Sequence, residues 1–218
     1  MKSSLKIVAL SFVVELLALA THAQTLVAYD FNNQTTPTAT LTASTLASHV
    51  TAGLFSVSDG GFTSTNFTTA TPPNSPAVSD SGSWNAASPT KYFAFTITPD
   101  SGYALSITNI SFDYRQTGSG ALNYQVDIGA STNLASGAFT QDSTWRSVSS
   151  SITLSALTVG TEVRVYGFNG GTAAFSIDRV TIAGTTTAIP EPSTYAVIFG
   201  AAALAAAAWH RRRQRAAR

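Results

Sequence analysis

The chain has 218 residues, 44% hydrophobic and 11% charged, with a formal net charge of +1 and no cysteine. Without cysteine there are no disulfides, no thiolate catalysis and no zinc–thiolate sites. Five arginines lie in the last eight residues, whereas residues 24–188 hold nine acids against five bases, near −4, with no basic stripe. That distribution argues against a nucleic-acid-binding surface.

In chain order, Met1–Lys6 carries two lysines and is followed by an apolar run from Ile7 to Ala20. These are the charged and hydrophobic regions of a secretory signal. Glu15 is the one acid inside the run, and the run is short for a retained membrane span. Thr21-His22-Ala23 ends on the small residue that signal peptidase requires. Residues 1–23 are therefore read as a signal peptide cleaved after Ala23, with Ala20 the second choice.

Residues 24–188 are rich in Thr, Ser, Gly and Asn, with Lys91 their only lysine and Glu162 their only glutamate. Strong helix formers are scarce and strand formers common. Strands are expected over 25–31 and 53–57, then a turn at Asp59-Gly60-Gly61. The stretch 64–90 lacks a period, carries Pro72, Pro73, Pro76 and Pro89, and reads as a long surface loop with Trp84 near its end. Phe93, Phe95 and Ile97 then alternate with Ala94, Thr96 and Thr98, giving one apolar face.

After a turn at Pro99-Asp100-Ser101-Gly102, the strand 103–115 changes phase. Leu105 and Ile107 are odd positions, while Ile110, Phe112 and Tyr114 are even, which predicts a β-bulge near Thr108-Asn109. Strands follow over 121–128 and 145–154, and then Val163, Val165 and Gly167 alternate with Glu162, Arg164 and Tyr166. Beyond Asn169-Gly170-Gly171, the strand 173–183 shifts phase between Ile177 and Val180, predicting a second bulge near Asp178-Arg179. Short strands, frequent turns and no helical stretch define an all-β domain, an antiparallel β-sandwich or jelly roll.

Little in the domain carries catalytic chemistry. His49 is its only histidine and cannot make a usual metal-catalytic site alone. No nucleophile elbow or phosphate loop occurs. Glu162 alternates outward beside Arg164, so a hydrolase would need two of the eight aspartates to meet in space. The domain is therefore expected not to be an enzyme, a secreted hydrolase being the third reading. Trp84 and Trp145, with Tyr92, Tyr114 and Tyr166, are the aromatics on which sugar rings could stack if they are not core.

The C-terminal segment, 189–218, opens with Ile189-Pro190-Glu191-Pro192. An Ala-rich apolar run from Tyr195 to Trp209 follows, then a basic tail over 210–218 with Arg211, Arg212, Arg213 and Arg215. The run 195–209 is expected to be a transmembrane helix. It rises about 22 Å, short of a ~30 Å hydrocarbon core, with Tyr195 and Trp209 at the two interfaces. The arginines should stay on the cytoplasmic side and leave the domain outside.

Pro190-Glu191-Pro192, the apolar run and the arginine cluster resemble, in that order, the PEP-CTERM sorting signal of Gram-negative bacteria. The resemblance implies recognition by exosortase, a membrane-embedded cysteine transpeptidase, near Pro190, Glu191 and Pro192. It further implies transient residence in the inner membrane and then a place at the cell surface or in the exopolysaccharide matrix. The two prolines would keep the motif extended and outside the membrane helix.

A weaker resemblance covers 175–182. Phe175-Ser176-Ile177-Asp178-Arg179-Val180-Thr181-Ile182 is similar to the closing strand of jelly-roll carbohydrate-binding modules, where an Asp can ligate a structural Ca²⁺. The partner acid would be Asp30 in the first strand, and oxygen ligands suit calcium. The alternative is a local contact of Asp178 at the bulge. Together these features point to a non-enzymatic exported surface or matrix protein without a cofactor, the alternative being a carbohydrate-binding module with a structural calcium.

Overall fold

The computed structural model describes residues 23–31, 41–58, 78–80, 84–116 and 118–216. Residues 1–22 of the expected signal peptide, the expected turn at 59–61 and most of the expected 64–90 loop lie outside the described residues. Ala23 is exposed and stands directly before the first strand.

Twelve strands follow in chain order. They are β1 (Gln24–Tyr29), β2 (Thr45–Leu46), β3 (Val50–Ala52), β4 (Ser56–Val57), β5 (Val78–Asp80) and β6 (Lys91–Pro99). After these come β7 (Tyr103–Gln116), β8 (Asn123–Ile128), β9 (Ser131–Ala138), β10 (Arg146–Leu157), β11 (Thr161–Phe168) and β12 (Phe175–Ala188). One helix, α1 (Pro192–Ala216), closes the chain.

The strands form two antiparallel sheets. One runs β10-β7-β12-β1-β2 with β5 also on β12, and the other runs β3-β6-β11-β8-β9 with β4 also on β6. Inward residues of both sheets, among them Phe93, Phe95, Val163 and Val165 from one and Leu105, Ile107, Phe112 and Ile182 from the other, share a single core. This is an all-β sandwich, and the period-2 patterns produce it directly, because alternate residues of a strand face opposite sides.

Both expected bulges are present. Opposite Ala183 and Gly184 the register of β7 jumps from Asn109 to Ile107, leaving Thr108 unpaired. Between Asp178 and Thr181, β12 advances three residues while β7 advances two, from Asp113 to Ser111. Arg179 there has φ +46°, in the left-handed region that non-glycine residues rarely adopt. Each extra residue restores the inward phase of the apolar positions beyond it.

Gly167 has a packing reason. A Cβ there would sit 2.8 Å from the Trp84 ring and 2.9 Å from Ala121 Cβ. The small residue in the Val163–Val165–Gly167 series makes the hole that Trp84 fills.

The helix corrects the expectation for the tail. It starts at Pro192 instead of after the motif, and it runs on through the arginines to Ala216. No helix among the described residues is long and apolar enough to cross a membrane, so the transmembrane helix expected over 195–209 is not what the structure contains. The physical reason lies in the run itself, which is short of a hydrocarbon core and rich in weakly apolar alanine.

Candidate functional site

The sorting segment occupies the junction between strand and helix. Pairing of β12 with β7 continues to Ala188 opposite Tyr103, and the Ile189 N–H donates to the Gly102 carbonyl at 2.8 Å. Pro190 has no N–H to extend the ladder and ends it. Pro192 takes the first helical position, where a missing N–H costs nothing and the fixed φ suits the helix. Ile189, Pro190 and Glu191 are thus the three residues between β12 and α1, and all are exposed. Beyond them the apolar side chains of α1 stay in the open, with Phe199 71% and Trp209 60% exposed. Arg211, Arg212 and Arg215 lie along one stretch of the helix with Leu204, and Arg213 lies over the Trp209 ring at 4.4 Å.

The two aspartates expected to meet do come near each other. β1 pairs with β12 at positions 180–184 and β5 pairs with it at 175–177, so Asp178 and Arg179 fall in the gap between them. Asp30 directly follows β1 at that gap. Asp178 is fully buried; its Oδ1 accepts the Arg179 N–H at 2.7 Å, and its Oδ2 has no hydrogen-bond partner. Burial pushes its pKa up to about 7. The Arg179 N–H and guanidinium oppose that rise, and the charges of Asp113 and Asp30 add to it.

Asp113 was not singled out in the sequence. It pairs with Asp178 in the ladder, is itself buried, accepts the Ser147 hydroxyl at 2.6 Å, and forms an ion pair with Arg179. The only cue was a charge standing between Phe112 and Tyr114, opposite the phase break. A shallow groove of about 400 Å³ opens beside this pair, lined by Asp113, Ser147, Arg179 and Thr181 among others. Among the described residues no group of three or more His, Cys, Asp or Glu is arranged to hold a metal ion. Any cation held by Asp30 and Asp178 would need carbonyl or water oxygens besides.

The aromatic candidates divide. Trp84 is fully buried, 5.6 Å from Phe93 and 5.1 Å from Phe175 between ring centroids, so it is core and offers no face to a ligand. Tyr114 is likewise core, its ring 4.4 Å from Phe139. Trp145 is half-buried and its indole N–H has no partner.

Tyr92 and Tyr166 lie opposite each other on β6 and β11, their rings 5.0 Å apart, with the Arg164 guanidinium 5.0 Å over the Tyr92 ring. Arg164 is also ion-paired with Glu162. The hydrogen bonds it donates to the Tyr166 hydroxyl oxygen and the Glu162 carboxylate hold the guanidinium pKa well above its ordinary value. His49 stacks flat on Tyr103 at 3.7 Å, with Nδ1 3.4 Å from an Asp100 carboxylate oxygen.

Fold and tail together define an all-β sandwich bearing a strand–helix sorting junction at its C-terminal end. The PEP-CTERM protein-sorting motif matches residues 188–213, and the chain carries that sorting tail. No curated protein matches the chain in sequence.

Among solved structures, the xylan-binding domain CBM22-1 of Paenibacillus barcinonensis Xyn10C aligns over 76% of this chain and 97% of its own, at 14% identity and a TM-score of 0.45. A cyclase from Fischerella sp. TAU aligns over 78% of this chain and 100% of its own, at 12% identity and a TM-score of 0.45. The cycloalternan-forming enzyme of Listeria monocytogenes aligns over 50% of this chain, at 19% identity and a TM-score of 0.34, and this chain spans 9% of that enzyme's length. Likeness of this degree says nothing of ligand or activity.

Proposed function

We propose that this chain is an exported bacterial surface or matrix protein whose tail is processed by an exosortase and whose β-domain acts without catalysis, in association with exopolysaccharide. The observation that carries the reading is the Pro-Glu-Pro motif, matched as a sorting signal, with Pro190 and Glu191 exposed where the sheet ends and the helix begins. Pro190 ends the strand ladder and Pro192 begins the helix, so Glu191 sits at the joint of the two elements, a place an enzyme could reach. Export would proceed through signal peptidase cleavage after Ala23 and a transient stay of the tail at the inner membrane. Exchange of both Pro190 and Pro192 for Ala should leave the precursor cell-bound with its tail attached, as read by immunoblot of cell and medium fractions. Undiminished release of that variant would reduce the motif to a structural joint.

A second reading, a carbohydrate-binding module with a structural calcium, is favoured by one observation. The buried Oδ2 of Asp178 has no partner while Asp30 and Asp113 add negative charge around it. Hard oxygen ligands of that kind suit Ca²⁺. The cation would supply the counter-charge that the single Arg179, already shared with Asp113, leaves incomplete.

A further inference from the structure

The sandwich grips the chain up to the residue before the sorting motif. Between the Ile189 bond to Gly102 and the helix start at Pro192 lie only Pro190 and Glu191, about 7 Å of extended chain. An enzyme that attacks a peptide bond must surround the reacting carbonyl with its own donors and hold the backbone on either side of it. Two residues do not fill such a cleft, so one flank has to give up hydrogen bonds it already makes.

The strand flank is the weaker. From Val180 to Gly184, β12 is flanked on both edges, by β7 and by β1, whose first residue Gln24 lies opposite Gly184. From Thr185 onward β7 is its one strand partner among the described residues, and Thr187, Ala188 and Ile189 are exposed. Terminal segments with one-sided pairing and exposed hydrogen bonds open at the lowest free energy. The helix flank, by contrast, starts on a proline already set in helical φ.

What holds the strand end is the turn beneath it. Gly102 has φ +81°, which turns its carbonyl to the Ile189 N–H. Tyr103 N–H donates to the Asp100 carbonyl, and Asp100 N–H donates to the His49 carbonyl. The His49 ring stacked on Tyr103 buttresses the turn from the side.

We infer that the end of β12 is a latch on processing, in which residues 185–189 must unzip from β7 before the processing enzyme can seat Pro190-Glu191-Pro192. The inference rests on the reading that the tail is processed. Tyr103 and His49 set how readily the latch opens, and they act through the strand, not on the reacting bond.

A reversible lock tests it. Ala188 and Tyr103 face each other with the Ile189–Gly102 bond just outside them, so they form a non-hydrogen-bonded pair with Cα atoms about 4.5 Å apart. That spacing admits a disulfide, and the native chain has no cysteine to compete. The full chain carrying Ala188→Cys and Tyr103→Cys would be expressed in a host with the cognate exosortase, and the processed fraction followed over time with and without reductant.

The oxidised protein should be processed about tenfold more slowly than the reduced one, and the reduced one at least as fast as the native chain. A short Gly-Ser insertion between Ala188 and Ile189 should restore processing of the locked protein by supplying slack. Tyr103→Ala, which removes the buttress without a crosslink, should speed processing. Equal rates for the oxidised and reduced forms, or no gain from Tyr103→Ala, would overturn the latch while leaving the processing reading intact. A native chain that is never processed would remove both.

Discussion

The sandwich and the helix use the same residue types in opposite ways. In the sandwich Trp84, Phe93 and Phe175 are fully buried against one another, whereas in α1 Phe199, Leu204 and Trp209 are each at least 60% exposed. A buried aromatic contributes on the order of 2–3 kcal/mol by leaving water, and Phe199 and Trp209 of the helix do not gain it against the described residues. The difference teaches that the domain is built to stand alone. The described apolar side chains of the tail stay exposed and are not covered by the described sandwich.

The largest expected effect breaks the comparison on the domain side. Trp84→Ala would empty the hole that Gly167 leaves for the indole and should cost about 3–5 kcal/mol. For a domain of this size that lowers the melting temperature by roughly 6–20 °C. A shift of a degree or two would mean that Trp84 packs far more loosely than its contacts with Phe93 and Phe175 imply.

The next effect concerns a carboxylate that the domain buries at a loss. The folded-state pKa of Asp178 is raised to about 7. The unfolded chain therefore ionises first, and stability falls as pH rises from about 4 to 7, with the penalty in full above that range. Asp178→Asn keeps the shape and removes the titration. It should be more stable than the native protein by on the order of 3 kcal/mol near pH 8, with the two converging near pH 4.

If the site takes calcium, saturating ion should raise the native protein by about 2.7 kcal/mol at a hundredfold excess over Kd and leave Asp178→Asn unmoved. Identical native melting curves in calcium and in chelator would reject the cation. A variant no more stable than native at pH 8 would reject the buried charge.

These two sites also show what the sequence could and could not reveal. Strands with strict alternation, such as Phe93–Ile97 and Val163–Gly167, were legible because one face is core. The bulges at Thr108 and Arg179 were legible because a bulge must shift the phase of every apolar residue after it. β9 was not, since Ser131–Ala138 carries little apolar patterning and takes its strand form from pairing with β8. β5 hid in the expected 64–90 loop for the same reason, with three residues held by β12.

Trp84 was assigned to a loop, and nothing local says that a loop residue fills a core; the one hint was a glycine where Val163 and Val165 called for a third large residue. At the candidate site Asp30 and Asp178 were legible from strand ends and phase. Asp113 and the His49–Tyr103 stack were not, because they depend on which strands become neighbours. Pro190 was legible as the end of the extended segment, but Pro192 was placed outside a helix that it in fact begins.

The smallest effect sharpens the comparison on the tail side. Since the described apolar side chains of α1 remain exposed, deleting residues 190–218 should leave the melting temperature of the domain unchanged. A clear loss of stability would mean that the tail packs on the sandwich, and the separation drawn between the two regions would fail.

The most direct measurement is the intact mass of the protein recovered from the cell surface or medium of a host carrying the cognate exosortase. The product should begin at Gln24 and lack the helix beyond the Pro190-Glu191-Pro192 motif, with the sandwich complete through Ile189. A surface product that retains the helix through Arg215 would contradict processing at the sorting junction.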